Sequence, residues 1–565
     1  MHVLRRAVAT IALLTTSAAA HAAKGDFPLC DGFPAPNKKV DNMLKETSLW
    51  GLASGSAAGR KSNTGIGAQG ATACDAALTD PLLLSNYWQR RAHLLLSKGL
   101  HLIAEKNYEA ALAALSESEK LAFDNEDAVF EDSAMLGAKM LRAAALGRSG
   151  KIDEARQILA DLRKARPYAS TIARSIERLE DSLDQDIGKM ISNSKKRMPL
   201  EPGNIRRAFQ FHLFRGEIAQ AAEYEDDLSL TPPKAIGGWT VDGDPTSGYN
   251  DEYENAELDA TRAYVMVGIG QNDKAAVLND GIRASIAELR IPPPPPEKGK
   301  KQRKSLLRDF EARTLAATRI ENMLESWMKA AEMRKNVSAA PTSLAAIKDD
   351  LAKYRINRII AQHDIMRLLK PSIAEEKEAV AKTIAAFDSL ITREIFEISG
   401  TDLFKMLPRP ETLKLVPKFA RAGDGILLAR EIGASQAKEK DGIARTIRFG
   451  SATGSPALVE ELGMLAVSDY AKKEGADSFI ILSRRSVTRT TYVYGAYAYG
   501  GAGGVPSGYE SQMRVMLLNS AALPANLESK RWRLIKVDEV DKSLQPKFAA
   551  IEAQKLALKK LSGVK

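Results

Sequence analysis

The sequence predicts a mainly α-helical protein, in which an array of helix pairs and a helical bundle precede a small α+β domain of order β-α-β-β. Similar helix–turn–helix segments recur between residues 99 and 286. Apolar residues recur at three- and four-residue spacing between residues 305 and 400, and segments rich in β-branched and aromatic residues follow residue 411. A chain of 565 residues is long enough for three or four domains.

The first 22 residues are expected to be a cleaved signal peptide. Arg5 and Arg6 precede an apolar run of 14 residues, which is too short to span a bilayer, and Ala20–Ala22 offers small residues for cleavage. Cys30 follows Leu29 rather than a small residue, which argues against a lipid anchor. No later apolar run is long enough to cross a membrane. The sequence therefore predicts a periplasmic or secreted protein without a transmembrane segment.

Cys30 and Cys74 are the two cysteines of the chain, and they are expected to form one disulfide in an N-terminal segment of residues 23–84. The bridge would close a loop of 74 − 30 = 44 positions, which on the chain-entropy model stabilises the fold by roughly 4 kcal/mol. A redox-active pair would more often have the Cys-x-x-Cys spacing.

The formal net charge of +10 falls to +8 when Arg5 and Arg6 leave with the signal peptide. Export argues against nucleic acid as the partner of this basic chain. Anionic lipid headgroups, cell-wall polymers and acidic proteins are the expected alternatives.

The predicted helix pairs share a break in the helix, a small residue that packs after it and, in two of them, a closing proline. They occupy residues 99–123, 143–167, 208–233 and, more weakly, 263–286, and the packing alanines of the first three are Ala111, Ala155 and Ala221.

These segments resemble tetratricopeptide repeats, although the spacing of the alanines is 44 and then 66 residues instead of a regular 34, and the signature Trp of the first helix is absent. A general array of helical hairpins remains the alternative. The lead-in from Ala73 to Leu112, with Cys-Asp-x-Ala-Leu followed by Trp-x-Arg-Arg, is similar to that of exported bacterial tetratricopeptide-repeat proteins. In either case stacked helix pairs would expose a concave face that suits a peptide or helix.

Changes in composition divide the chain after residue 84 into six predicted segments. The predicted segments are the repeats (residues 85–290), a proline-rich basic linker (291–304), a helical region (305–400), a connector (401–440), an α/β domain (441–537) and a basic C-terminal helix (538–565). In the α/β domain we expect a strand in "ARTIRFG", a helix from Pro456 to Gly475 with Gly475 as a left-handed cap, and two further strands. The stretch "SDYAKKEGADSFIILSRR" resembles small α/β domains of exported envelope proteins and lipoproteins.

A loop rich in tyrosine and glycine, Thr490–Ser511, lies between the last two predicted strands. It lacks the lysine of a phosphate-binding loop and carries Pro506 where a dinucleotide loop needs glycine. It is either a long hairpin loop or a contact surface presenting Tyr494, Tyr497 and Tyr499.

The sequence offers little catalytic chemistry. It contains no His-Glu-x-x-His and no Gly-x-Ser-x-Gly, and both cysteines are expected to be oxidised. We predict no catalytic residue, no cofactor and no enzymatic activity. An enzyme with a site assembled from distant residues is the alternative.

An acidic stretch from Glu223 to Asp259 holds eleven acids and one lysine. It fails the EF-hand pattern because Ser247 and Tyr253 stand where Gly and Glu are needed. Three interpretations stay open: a solvated loop, a looser calcium site, and docking of a basic partner or of the chain's own Lys298–Arg308 segment. The calcium site would use Asp242, Asp244 and Asp251.

The expected function is that of a scaffold or adaptor that binds protein partners in the cell envelope through groove-facing residues of the repeats. These are His93, Arg148, Arg206 and Gln210. The alternative is an envelope sensor or surface component that acts through its C-terminal α/β domain and the Tyr/Gly loop, with the basic tail touching anionic lipid or cell-wall polymer.

Overall fold

The structure is a computed structural model that describes residues 25–43, 65–230, 249–296, 298, 301–340, 342–353, 359–419, 433–439, 444–492 and 504–561. The helices are α1 Asp26–Asp31, α2 Ala68–Thr79, α3 Trp88–Ala104, α4 Tyr108–Phe123, α5 Ala128–Phe130, α6 Leu136–Arg148, α7 Ile152–Ala165, α8 Ser170–Asp184, α9 Ile187–Lys195, α10 Gly203–Phe214, α11 Ile218–Ala222, α12 Glu225–Ser229, α13 Asn250–Gly268, α14 Asn272–Leu289, α15 Lys304–Ala339, α16 Leu344–Lys353, α17 Ile359–Leu368, α18 Ala374–Phe396, α19 Gly400–Met406, α20 Pro456–Lys473 and α21 Val537–Leu561. The strands are β1 Gly433–Lys438, β2 Ala444–Ser451, β3 Ser478–Tyr492, β4 Gly504–Leu518 and β5 Ile535–Lys536. A π-helical turn, Glu131–Met135, joins α5 to α6. The prediction of a mainly helical chain with a small C-terminal sheet is thereby confirmed.

The chain forms two compact units. Unit 1 comprises Met1–Ala165, Ser399–Leu415 and Arg489–Gly508, and unit 2 comprises Arg166–Ile398, Val416–Thr488 and Tyr509–Lys565. Among the described residues, no helix is both long enough and apolar enough to cross a membrane.

Four helix pairs share one turn. They are α3/α4, α6/α7, α10/α11 and α13/α14, and a residue with positive φ ends the first helix of each: Lys106, Gly150, Gly216 and Gly270. In each pair the next amide donates to a carbonyl five residues back, as from Asn107 N to Leu102 O at 2.9 Å. This is the Schellman arrangement, which satisfies the last carbonyls of the helix and reverses the chain.

A buried alanine lies five residues after each of these residues with positive φ. Its small side chain lets the second helix of the pair lie close against the first. The four residues are Ala111, Ala155, Ala221 and Ala275. The three alanines predicted from the sequence therefore occupy equivalent positions, and Ala275 extends the pattern to the fourth pair.

The disulfide of unit 1 is confirmed. Cys30 and Cys74 are bonded at 2.09 Å and join α1 to α2, and both helices pack on α3. Phe27, Ala73, Ala77 and the two cysteines share an apolar core with Leu94 of α3. The N-terminal segment therefore covers α3 as a packed layer of unit 1.

A second part of unit 1, the segment Ser399–Leu415, comes from far along the chain and covers the first helices of pairs α3/α4 and α6/α7. Its helix α19 packs on α3, and Leu407 and Pro408 lie against Gly137 of α6. Glu411 N donates to Ser133 Oγ at 2.9 Å. The faces of α3 and α6 that contact this segment are therefore buried.

Unit 2 has one large helical core. It combines apolar residues of α10, α13, α14, α15 and α17, among them Phe209, Tyr264, Ile286, Trp327 and Ile365. The helices before and after the proline-rich linker thus share a single core.

The sheet is five-stranded and antiparallel, with the order β1-β2-β4-β3-β5. The predicted strand–helix–strand–strand order is present as β2, α20, β3 and β4. Ser455 caps α20 by accepting from Leu458 N at 3.2 Å, and Gly475 takes the predicted positive φ just after the helix. The sequence missed β1 and β5, because β1 ("GASQAK") lacks β-branched residues and β5 has two residues.

Helix α20 packs on β1 and β2, and buried polar contacts bind it to the helical part of unit 2. Arg166 Nε and Nη2 donate to Glu461 Oε1 and Oε2 at 2.8 and 2.7 Å, and both side chains are buried. Lys547 of α21 also pairs with Glu461, at 3.3 Å. Next to it, Glu460 Oε2 accepts from Thr171 N at 2.9 Å, so a carboxylate from α20 caps the N-terminus of α8.

Candidate functional site

A half-exposed polar face on α10 is the candidate site. Arg206 and Gln210, both predicted as groove residues, lie one helical turn apart on this helix. Arg206 is 31% exposed and lies 3.8 Å from Glu254 of α13, and Arg207 beside it is 30% exposed. The Arg207 guanidinium lies over the Phe211 ring, 5.4 Å from its centroid. We call these residues, Arg206, Arg207, Gln210 and Phe211, the α10 face.

Buried carboxylates of α8 hold the α10 face from behind. Arg207 Nη1 donates to Glu177 Oε1 at 3.0 Å, and Arg207 Nη2 donates to Asp181 Oδ2 at 2.6 Å. Ser194 Oγ also donates to Glu177 Oε1, at 2.9 Å. Because Arg207 is fixed by two carboxylates, its guanidinium is presented at the surface in a defined orientation.

The pKa of Asp181 is raised well above that of an ordinary aspartate. Burial raises the pKa of Asp181 to about 7, against the lowering effect of Arg207 and with the help of the neighbouring charge of Glu177. Its Oδ1 atom is buried without a hydrogen-bond partner among the described residues. This carboxyl therefore titrates near neutral pH, in contrast to an exposed aspartate.

Replacing Asp181 by asparagine is expected to stabilise the protein at pH 8 by about 4 kcal/mol and to change little at pH 4. The raised pKa means that the folded state holds a proton that the unfolded state has lost, so the wild type loses stability as pH rises from about 4 to 7. The D181N variant has no such loss. Urea unfolding at both pH values measures the difference.

Asp186→Asn is the matched control. Asp186 is exposed and caps α9 by accepting from Lys189 N, a role that asparagine also fills, so its effect should stay within about 0.5 kcal/mol at both pH values. A destabilisation by D181N that is equal at pH 4 and pH 8 would contradict the titration of Asp181.

The proposed groove role of His93 is wrong. The His93 ring is buried, and its Nδ1 donates to Asp31 Oδ2 of α1 at 3.3 Å. Arg90 Nη2 donates to Asp31 Oδ1 at 2.9 Å from one turn earlier on α3. His93 therefore belongs to a buried charge cluster under the N-terminal segment and does not reach a partner.

The other predicted contact residues do not join the α10 face. Arg148 is exposed at the end of α6 in unit 1. Asp251 lies in the first turn of α13, at intermediate exposure. The predicted signal peptide and the predicted contact or calcium residues Tyr494, Tyr497, Tyr499, Asp242 and Asp244 lie outside the described residues.

The other three histidines in the described part of the chain also have structural partners. His101 Nε2 donates to Cys30 O at 2.8 Å, and His363 stacks on Phe214 with ring centroids 4.2 Å apart. His212 Nδ1 lies 2.7 Å from Glu217 Oε2. Within the described ranges, no group of three or more His, Cys, Asp or Glu side chains is arranged to hold a metal ion.

Sequence reasoning missed the buried half of this site. Glu177, Glu180 and Asp181 interrupt the apolar stripe of α8 at positions i, i+3 and i+4, which is the signal that could have marked them. Comparison with protein-family models, with curated proteins and with solved structures finds no match to this chain.

Proposed function

We propose that this protein is an exported, non-catalytic scaffold or adaptor that binds a protein partner in the cell envelope through a tetratricopeptide-like array of helix pairs. The observation that carries the proposal is the turn that recurs in four helix pairs, each with its buried alanine. Helix pairs repeated in this way serve widely to build binding surfaces for peptides and helices. The disulfide supports an oxidising compartment.

We assign the partner to the α10 face. In unit 1 the first helices of the pairs are covered by α1, α2 and Ser399–Leu415, whereas α10 of unit 2 keeps two arginines nearly a third exposed. Arg206 has one long contact to a carboxylate, and the Phe211 ring lies under Arg207. This combination of cation, amide and aromatic ring fits a peptide segment that carries carboxylates beside an apolar side chain.

A photo-crosslinking amino acid placed at Gln210 is expected to capture one partner protein in cells, because Gln210 lies on the α10 face. The same probe at Gln157, an exposed position on α7, is the control and should not capture that protein. Mass spectrometry of the crosslinked product identifies the partner. The R206E substitution should lower the yield from Gln210 by roughly tenfold, since a charge reversal at an interface commonly changes affinity by this order.

Equal capture of the same protein from positions 210 and 157 would mean that the crosslinks reflect chance proximity in the cell and not a specific contact at the α10 face. Capture confined to probes in the C-terminal α/β domain would overturn the assignment to α10 and favour a sensor that acts through that domain.

A further inference from the structure

The first two turns of α15 stand clear of the core of unit 2. Every residue from Arg303 to Asp309 is exposed, and the first buried residue of this 36-residue helix is Ala312. Leu306 and Leu307 are 38% and 44% exposed, and Ile291, at the end of the preceding helix pair, is 57% exposed. A long helix that begins with exposed leucines leaves apolar area that the fold itself does not bury.

Two hydrogen bonds tie the proline segment to the N-terminal part of α15 and to the residue just before it. Arg313 Nη1 donates to Ile291 O at 3.2 Å, and Gln302 Nε2 donates to Pro294 O at 2.9 Å. The backbone of Ile291 and Pro294 is therefore tied to the N-terminal part of α15 and the residue just before it, where Leu306 and Leu307 also lie.

Five cations lie along the same stretch of the chain. Lys298, Lys301, Arg303, Lys304 and Arg308 are all exposed, and the structure shows no ion pair for any of them among the described residues. Of the nearby acids, Asp309 is already bonded to Tyr249 at 2.6 Å and to Arg313 at 3.1 Å, and Glu311 is exposed. We call the three apolar residues and these five cations the α15 platform.

We propose that the α15 platform docks on an anionic lipid surface. Lysine and arginine side chains reach the phosphate groups of such a surface while the apolar side chains between them enter the acyl boundary. The start of α15 adds to this attraction, since it has no side-chain cap and no acid in its first turn, and its free amides favour an anion.

The arrangement of the apolar residues favours lipid over an acidic protein. A protein groove that receives a helix reads anchors at i, i+3, i+4 and i+7 on one face. Here Leu306 and Leu307 are consecutive, and Phe310 one turn later is half-buried under the Arg313 guanidinium, so the exposed apolar side chains do not continue as such a row. A lipid surface is fluid, so apolar side chains can enter it without a fixed spacing along a helix.

The test is sedimentation of the mature, oxidised protein with vesicles of phosphatidylglycerol and phosphatidylethanolamine, and with vesicles of phosphatidylcholine alone. Binding to the anionic vesicles is expected, with loss at high salt, and the neutral vesicles should leave the protein in the supernatant. The L306Q/L307Q variant should bind at least tenfold more weakly, and K301Q/K304Q several-fold more weakly. Amides from Arg303 to Glu311 should gain protection from hydrogen exchange on anionic vesicles.

Matched controls remove the same groups elsewhere on unit 2. Val277→Gln deletes an apolar residue that is 72% exposed on α14, and K335Q/K348Q deletes two exposed lysines, so both should bind like the wild type. Absence of wild-type binding to anionic vesicles, or equal losses in controls and platform variants, would overturn the proposal. If the vesicles stay unbound while the platform variants lose an acidic protein from crosslinked cells, the platform serves a protein instead. The proposal goes beyond the adaptor function, and the crosslink at Gln210 tests that function separately.

Discussion

Replacing Asp31 by asparagine is expected to lower the free energy of unfolding by about 3–5 kcal/mol, the cost of a buried charge that has lost its partner. Arg90 is fully buried, and Asp31 is the carboxylate that pairs with it, at 2.9 Å. Arg90 also donates to Phe33 O at 3.2 Å, which does not neutralise its charge. The asparagine keeps the shape of the side chain but removes the charge.

The direction in which this stabilisation changes with pH follows from the pKa of Asp31. Burial alone would raise the pKa of Asp31, but Arg90 and the hydrogen bond from His93 outweigh it and hold the pKa below its ordinary value of 3.8. The stabilisation by Asp31 is therefore complete above pH 4 and is lost as pH falls further. The difference between wild type and D31N should be full at pH 7 and should shrink in stronger acid.

Hydrogen exchange of the α3 amides measures this stability where Arg90 and His93 lie, and urea unfolding of the oxidised protein measures it globally. Asp75→Asn is the matched control, because Asp75 follows Cys74 but forms an exposed pair with Lys98 and should change stability by less than about 1 kcal/mol. If D31N and D75N had the same small effect, Arg90 would not depend on Asp31.

Replacing Glu461 by glutamine should destabilise unit 2 by a similar amount, about 3–5 kcal/mol. Glu461 is buried on α20 and receives both Arg166 and Lys547. Burial alone would raise the pKa of Glu461, but these two cations hold it below its ordinary value, so the carboxylate is charged at neutral pH. Without its charge, the buried Arg166 guanidinium loses the carboxylate to which it donates two hydrogen bonds.

A variant that removes both partners separates the lost charge from lost packing. The R166M/E461L variant removes both buried charges and should recover most of the stability lost in E461Q, since apolar pairs often replace buried ion pairs at little cost. Glu552→Gln on α21 is the surface control, because Glu552 is 39% exposed. Urea unfolding at pH 7 reports all four proteins. A double variant that is less stable than E461Q would show that the geometry of the pair, and not its unpaired charge, governs stability here.

Local signals predicted the local structure well. The predicted breaks within the helix pairs do reverse the chain, Gly475 does end α20, and the two cysteines do form the disulfide. The turns and the helix end depend on residues that are close together in the sequence. The disulfide follows from the presence of two cysteines, which allow one pairing. The tetratricopeptide-like array, the export and the partner stay predictions.

Distant pairings could not be predicted in this way. Asp31 contacts His93 from 62 positions away, and Arg166 contacts Glu461 from 295 positions away. Lone charged residues have no periodic pattern that marks their partners, so His93 was assigned to a groove when it belongs to a core. Leu407 and Pro408 of the predicted connector pack against Gly137 of α6 from about 270 positions away, a contact that no local pattern marks.

The sequence by itself determined the helical character of this chain, its recurring turns, its disulfide and the strand–helix–strand–strand order near the C-terminus. These features follow from backbone preferences and short-range periodicity. The tertiary structure alone decided which faces of the helices remain exposed, because exposure depends on segments that return from far along the chain. This long-range packing buries His93 under α1, and it leaves the α10 face and the α15 platform exposed.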